Sequence, residues 1–343
     1  MATEACNASN SGEIVTKSLP DYGHRPIAYR LDDLAAAEPE RALLLKPRSS
    51  RPDDGWEPVT RRAFADAVNC AAHLISAKVK ADSAEEFPTI AYIGANDIRY
   101  GIIMIAAIKA GCQALFISPR NSLEAQLSLF EQTSCRHLWY SGPFQSIIES
   151  IASHRKMDTF VAPSVDQLLS SNAVRFPYER PPEKTEWDPA VVLHTSGSTG
   201  VPKPVVFRQG GLIAMDQYQH LPPRNGARYI WSEYTERCKR TFAALPFFHG
   251  AGLMGAFVLL CLYHEHELAV PIPDQPMTAD LLIESIKYSG SESGFTAPSI
   301  LEELSGRNDG IECLKGLKFV AYGGGKFLVL QLGQFSVLIM CAT

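Results

Sequence analysis

The chain has 343 residues, 46% hydrophobic and 20% charged, enough for one large or two ordinary globular domains. A formal charge of −5, with acids and bases interleaved, excludes a nucleic-acid binder that works through a general basic field. Eight cysteines without a CxxC pair suggest neither a zinc framework nor a disulfide scaffold.

The opening "MATEACNASNSGEIVTKS" has no apolar h-region and no basic n-region, so no signal peptide is read there. A reducing, cytosolic setting is expected, in which the sequon Asn7-Ala8-Ser9 goes unused. Residues 1–20 are polar and expected to be flexible. Thr60 is placed to cap a helix in which Phe64, Ala67, Val68, Ala71, Leu74 and Ile75 recur at helical spacing. Short apolar strands are predicted at Thr89–Gly94, Ala114–Ser118, His137–Ser141 and Thr159–Ala162. Helices over 97–110, 121–133 and 144–154 separate them. Such alternation calls for an α/β fold with parallel strands buried between helices on both faces.

"FPYERPPEKTEWDP" (176–189) interrupts the pattern and reads as a linker joining two lobes. Beyond it come a strand at Ala190–His194, a helix near 211–220, and a strand at Thr241–Leu245. A helix over 251–262, a strand over 267–272 and a helix over 278–288 follow. The last elements are a strand over 293–296, a helix over 299–304 and a strand over 317–322.

Between the strand ending at His194 and the apolar run Val205–Phe207 lies "TSGSTGVPK". Ligands collect at the carboxyl ends of strands in open α/β sheets. Gly197 and Gly200 let the backbone approach a ligand closely. Thr195, Ser196, Ser198 and Thr199 offer hydroxyls, successive amides can form an anion nest, and Lys203 adds a compact positive charge. The set suits a polyphosphate. It is not a Walker A loop, because Val201 and Pro202 separate Gly200 from Lys203, and Ser196 stands where a nucleophile elbow needs glycine.

"TSGSTGVPK" resembles the phosphate loop of the adenylate-forming (AMP-binding) enzymes: acyl-CoA synthetases, luciferases and nonribosomal-peptide adenylation domains. Together with "KAGCQALFISPRNS" (109–122), it is most similar to the adenylation domains of fungal peptide-synthetase-like carboxylic acid reductases. The resemblance covers roughly residues 25–325 and implies the N-terminal large domain of such an enzyme, two lobes of largely parallel sheet flanked by helices. It implies ATP and Mg²⁺ as cofactors and a small carboxylic acid as substrate. That acid becomes an acyl-adenylate and passes to a phosphopantetheine or CoA thiol, with a carrier domain possible in the whole protein. Thr195, Ser196, Ser198, Thr199 and Lys203 would grip the β- and γ-phosphates.

"LPFFHGAGL" (245–253) resembles the family's acyl-pocket motif, in which His249 would border both the substrate carboxylate and the α-phosphate. By its own pattern His249 could equally start the following helix, with Phe247 and Phe248 as core. Amino-acid-activating relatives place an aspartate in this stretch to pair with the substrate's ammonium. Phe247, Phe248, Gly250 and Ala251 offer none, so an aryl, keto or fatty acid is expected. In "KFVAYGGGKF" (318–327), Gly323, Gly324 and Gly325 match the start of the family's adenine-binding turn. His264 and His266 in "YHEHE" alternate onto one strand face without a third ligand, and no metal site is expected from them.

After Gly325 the family's aromatic-Gly-x-Thr-Glu segment, ribose-binding aspartate and C-terminal catalytic lysine are not found. Instead comes the apolar "KFLVLQLGQFSVLIMCAT" (326–343), too short and too interrupted for a membrane anchor. Gly-Lys-Phe can be encoded with an intron donor inside it, so this stretch reads as translated intron. A chain ending in this way is expected to expose an apolar sheet edge and to be inactive by itself. The competing expectation is a non-catalytic nucleotide-binding or interaction module that keeps the loop.

Overall fold

A computed structural model describes residues 23–79, 86–195, 201–323 and 338–342. Helix α1 (Ile27–Ala37) precedes strands β1 (Ala42–Pro47) and β2 (Trp56–Thr60), then α2 (Arg61–Lys78). The Thr60 hydroxyl accepts the Ala63 N–H, which is the cap the sequence predicts. There follow β3 (Thr89–Ile93), α3 (Arg99–Lys109), β4 (Gln113–Phe116), α4 (Leu123–Gln132), β5 (His137–Tyr140), α5 (Gln145–His154), β6 (Asp158–Val161) and α6 (Val165–Leu169). Next are β7 (Pro189–His194), β8 (Pro204–Arg208), α7 (Gln209–Asp216), α8 (Ile230–Arg237) and β9 (Arg240–Ala243). A π-helix (Ala251–Tyr263) leads to β10 (Glu267–Ala269), α9 (Ala279–Ser289), β11 (Ser293–Thr296), α10 (Pro298–Ser305), α11 (Asn308–Gly316), β12 (Phe319–Gly323) and β13 (Leu338–Ala342).

The strands form two sheets, ordered β6-β5-β3-β4-β7-β8 and β13-β12-β11-β9-β10-β1-β2. Every neighbouring pair is parallel except the edge pairs β7–β8 and β1–β2. The α/β architecture of two largely parallel sheets is therefore as predicted.

Alternation along the strands explains the layering. Ile90 and Tyr92 of β3 face a central core that also takes Leu44 from β1 and Ala243 from β9, while Ala91 and Ile93 face a separate core under α4 and α5. In the other sheet Leu45 and Phe242 turn to a third core under α9, α10 and α11. Helices α1, α2 and α3 and the π-helix fill the layer between the two sheets. The π-helix, "AGLMGAFVLLCLY", has no charged residue and is buried almost throughout, as a helix apolar on all sides must be. Among the described residues no helix is long and apolar enough to cross a membrane.

Two sequence expectations need correction. The 176–189 segment does not join two lobes, because β6 before it and β7 after it belong to one sheet. Tyr178, Thr185 and Asp188 are buried within it, and Arg180 is ion-paired to Asp188. The chain instead crosses between sheets after β2 and again between β8 and β9. In addition, the apolar tail supplies a strand of its own: residues 338–342 pair parallel with β12, Tyr322 opposite Cys341, and this apolar strand ends the sheet.

Candidate functional site

Strand order reverses at β3/β5 in one sheet and at β9/β11 in the other. Ligands in open α/β sheets sit beyond the carboxyl ends of strands at such reversals. Here both reversals open onto a single cleft of about 570 Å³. Gly94–Asn96 after β3 and Phe144 after β5 line it from one sheet, Leu245–Pro246 after β9 and Ala297 after β11 from the other.

The hydroxyl-rich loop turns out to be the connection of the antiparallel β7–β8 hairpin. Its neck is closed by the Thr195 N–H on the Lys203 carbonyl at 3.1 Å. Thr195 and Lys203 are exposed. Ser196, Gly197, Ser198, Thr199 and Gly200 lie outside the described residues, as do Gly324 and Gly325. Gly323 is buried at the carboxyl end of β12, two strands from β9.

The turn after β9 is held across the molecule: the Asn96 side chain accepts the Phe247 N–H at 2.9 Å, tying the β3 loop to the β9 loop. Phe248 lines the cleft, its ring 5.9 Å from Tyr100. Phe247 does not; it is buried against Phe257 of the π-helix, so of the two predicted pocket phenylalanines only Phe248 faces the cleft. Gly250 starts the π-helix with ordinary helical dihedrals, and a Cβ there would merely touch Leu193. Gly252 is the position that requires glycine, since a Cβ would overlap the Pro246 carbonyl oxygen.

His249 stands beside Phe248, with ring centroids 4.7 Å apart, and 6.5 Å from the ring of His194. The residue as a whole is exposed, yet the protein around its imidazole dominates: desolvation, then the charges of His194 and Arg120, hold its pKa below the usual histidine value. Desolvation also lowers the pKa of His194, opposed by the Thr195 carbonyl. Sequence reasoning gave His194, Asn96, Arg120 and Gly252 no role. The only local signals were a histidine ending the strand and the tight-turn run "SPRN".

His264 and His266 do not share a strand face: both precede β10, and His266 bonds to the Thr241 hydroxyl at 2.6 Å. Among the described residues no group of three or more His, Cys, Asp or Glu is placed to hold a metal.

Comparison with known proteins agrees with this geometry. The family model described as AMP-binding enzyme matches residues 31–338. A carboxylic acid reductase of Neurospora crassa is 41% identical over 307 residues, covering 89% of this chain and 29% of the reductase. An isocyanide synthase–NRPS hybrid of Aspergillus fumigatus is 31% identical, covering 94% of this chain and 21% of its own length. The chain thus spans less than a third of these relatives. An anthranilate CoA ligase solved in complex with anthranoyl-AMP superposes with a TM-score of 0.69 at 15% identity, over 90% of this chain and 55% of the ligase. Fold, cleft and sequence relatives agree, and the chain belongs to the AMP-binding, adenylate-forming enzyme family.

Proposed function

We propose that this chain carries the nucleotide- and acid-binding part of an enzyme that activates a carboxylic acid as its acyl-adenylate. A carboxylate oxygen attacks the α-phosphorus of ATP, the bond to the β-phosphate oxygen breaks, and pyrophosphate departs. The acyl group then passes to a phosphopantetheine or CoA thiol, and in a protein as long as the relatives a carrier domain would present it, in reducing, cytosolic surroundings.

The observation that supports this best is a cleft at the carboxyl ends of both sheets, beside which His249 stands 6.5 Å from the ring of His194 at the foot of the β7–β8 hairpin. In this arrangement Thr195, Ser196, Gly197, Ser198, Thr199, Gly200 and Lys203 hold the β- and γ-phosphates by charge-assisted hydrogen bonds. Gly323, Gly324 and Gly325 lie against the adenine, where missing side chains let a flat base approach. Neutral His249 stands at the junction of acid and α-phosphate, able to donate or accept a hydrogen bond without adding charge. Mg²⁺, bound with the nucleotide, would supply charge stabilisation to the departing pyrophosphate.

The cleft wall is apolar at Phe248, Phe144, Met277 and Ile300, which suits an aryl, keto or fatty acid. The structure also brings Asp274 into the wall, a carboxylate that the "LPFFHGAGL" stretch does not contain. Burial first, and the charge of Asp97 second, raise its pKa.

Carboxylate-dependent ATP–pyrophosphate exchange on the intact gene product that carries this chain tests the reading. Lys203→Ala is expected to lower exchange at least tenfold, consistent with loss of one charged phosphate contact. Benzoate, phenylpyruvate or octanoate should be preferred to phenylalanine. Unchanged exchange in the Lys203 variant would remove the nucleotide reading. Preference for phenylalanine would instead transfer the selectivity to Asp274.

A further inference from the structure

The turn that follows β4 packs against the neck of the hydroxyl-rich loop. Ser118-Pro119-Arg120-Asn121 closes with the Asn121 N–H on the Ser118 carbonyl at 3.1 Å, the bond of a β-turn with proline at its second position. The Ser118 hydroxyl accepts the Arg120 N–H at 3.3 Å. From the two ends of the turn, the Ser118 N–H (3.2 Å) and the Asn121 side-chain amide (3.3 Å) both donate to His194 Nε2. That leaves the ring proton on Nδ1, directed at the Thr195 carbonyl 3.4 Å away. His194 ends β7, so the turn is joined to that strand end, and Arg120 is presented from a fixed base.

Arg120 lines the same cleft as Phe248, and its positive charge reaches His249. Among the described residues its guanidinium has no ion pair or hydrogen bond, whereas Arg99, close by on α3, is taken up by Asp97. Both imidazoles are held toward neutrality, and a guanidinium stays charged at any physiological pH. Arg120 is therefore the permanent cation among the described residues that line the cleft.

A carboxylate entering to attack ATP meets a polyphosphate of its own sign, and the approach needs a fixed opposite charge. We propose that Arg120 binds the carboxylate of the acid substrate and holds it beside His249 before activation. The assignment rests on the acid-activation reading and adds to it the residue that receives the acid's charge. A planar guanidinium suits both carboxylate oxygens at once, which an ammonium does not.

The test is calorimetric titration of the 343-residue chain, wild type against Arg120→Met and Arg120→Lys, with benzoate, phenylpyruvate, octanoate, neutral benzamide, and ATP alone. For every acid that the wild type binds, Arg120→Met is expected to weaken binding at least tenfold and Arg120→Lys by less. Benzamide and ATP should change less than twofold. By imidazole NMR the His249 pKa should rise in Arg120→Met, because a neighbouring positive charge has gone, and this reading needs no ligand. Acid binding that survives in Arg120→Met, an unmoved His249 titration, or a loss confined to ATP would each overturn the assignment while leaving acid activation intact. A wild-type chain that binds ATP but none of the three acids would overturn the activation reading, and the role of Arg120 with it.

Discussion

At the scale of single residues, Gly250 and Gly252 show how little a motif says about which of its glycines is essential. Both stand in "FFHGAGL", yet a Cβ at 252 would overlap the Pro246 carbonyl oxygen and approach that of Leu245, whereas one at 250 would meet nothing closer than Leu193 at 4.0 Å. The close approach at Gly252 seats the start of the π-helix on the turn that holds Phe248 and His249. Gly252→Ala is expected to cost about 1–3 kcal/mol, the usual penalty of overpacking a backbone contact, and Gly250→Ala less than about 0.5 kcal/mol. Urea unfolding midpoints of the two variants check this, and equal values would contradict it. Similarly, "LPFFHG" marks Phe247 and Phe248 alike, and only the Asn96 bond to the Phe247 N–H and the fold around it decide that Phe248 alone faces the cleft.

At the scale of elements, α8, β9, β11 and the lead into β10 are joined by one polar cluster in an otherwise apolar setting. The Thr241 hydroxyl lies 2.6 Å from His266 Nε2, 2.8 Å from the Ser293 hydroxyl and 2.9 Å from the Tyr234 hydroxyl. His266 is 4% exposed. Burial first, and the neighbouring His264 second, bring its pKa down to about 4. The unfolded chain, with an ordinary histidine pKa near ~6.5, binds the proton more readily. The contribution of His266 to stability is thus complete above about pH 6.5 and lost as pH falls from there towards 4, where it levels off. The full span is worth about 3 kcal/mol, since each tenfold difference in proton affinity between the folded and unfolded chain corresponds to ~1.4 kcal/mol. His264, also held near pKa 4 chiefly by burial, acts in the same window. Urea midpoints should fall between pH 7 and 4.5 in the wild type and fall less in His266→Gln; identical slopes would exclude this cluster as the source.

For the whole molecule, the layer between the sheets makes two sheets into one folding unit. Leu43, Leu44 and Val59 enter that core from one sheet, and Ile90, Phe116 and Val191 from the other. Neither sheet can cover its inner face without α2, α3 and the π-helix, so unfolding should be a single transition. Trp56 sits in the sheet of β1 and Trp139 in that of β3, and versions in which each is the sole tryptophan should report urea midpoints within about 0.3 M of each other. Two separated midpoints would show independent lobes. Residue order by itself determined the alternation of short apolar strands and helices, the capped start of α2, and the hydroxyl-rich loop between two strands, because propensity, capping and turn chemistry act over a few neighbouring residues. Only the tertiary structure decided that β1 pairs with β10, Leu44 opposite Leu268, that 176–189 stays within one sheet, and that Ser118 and Asn121 meet His194. Those choices depend on which faces can be buried together across long stretches of chain, and no local pattern encodes that.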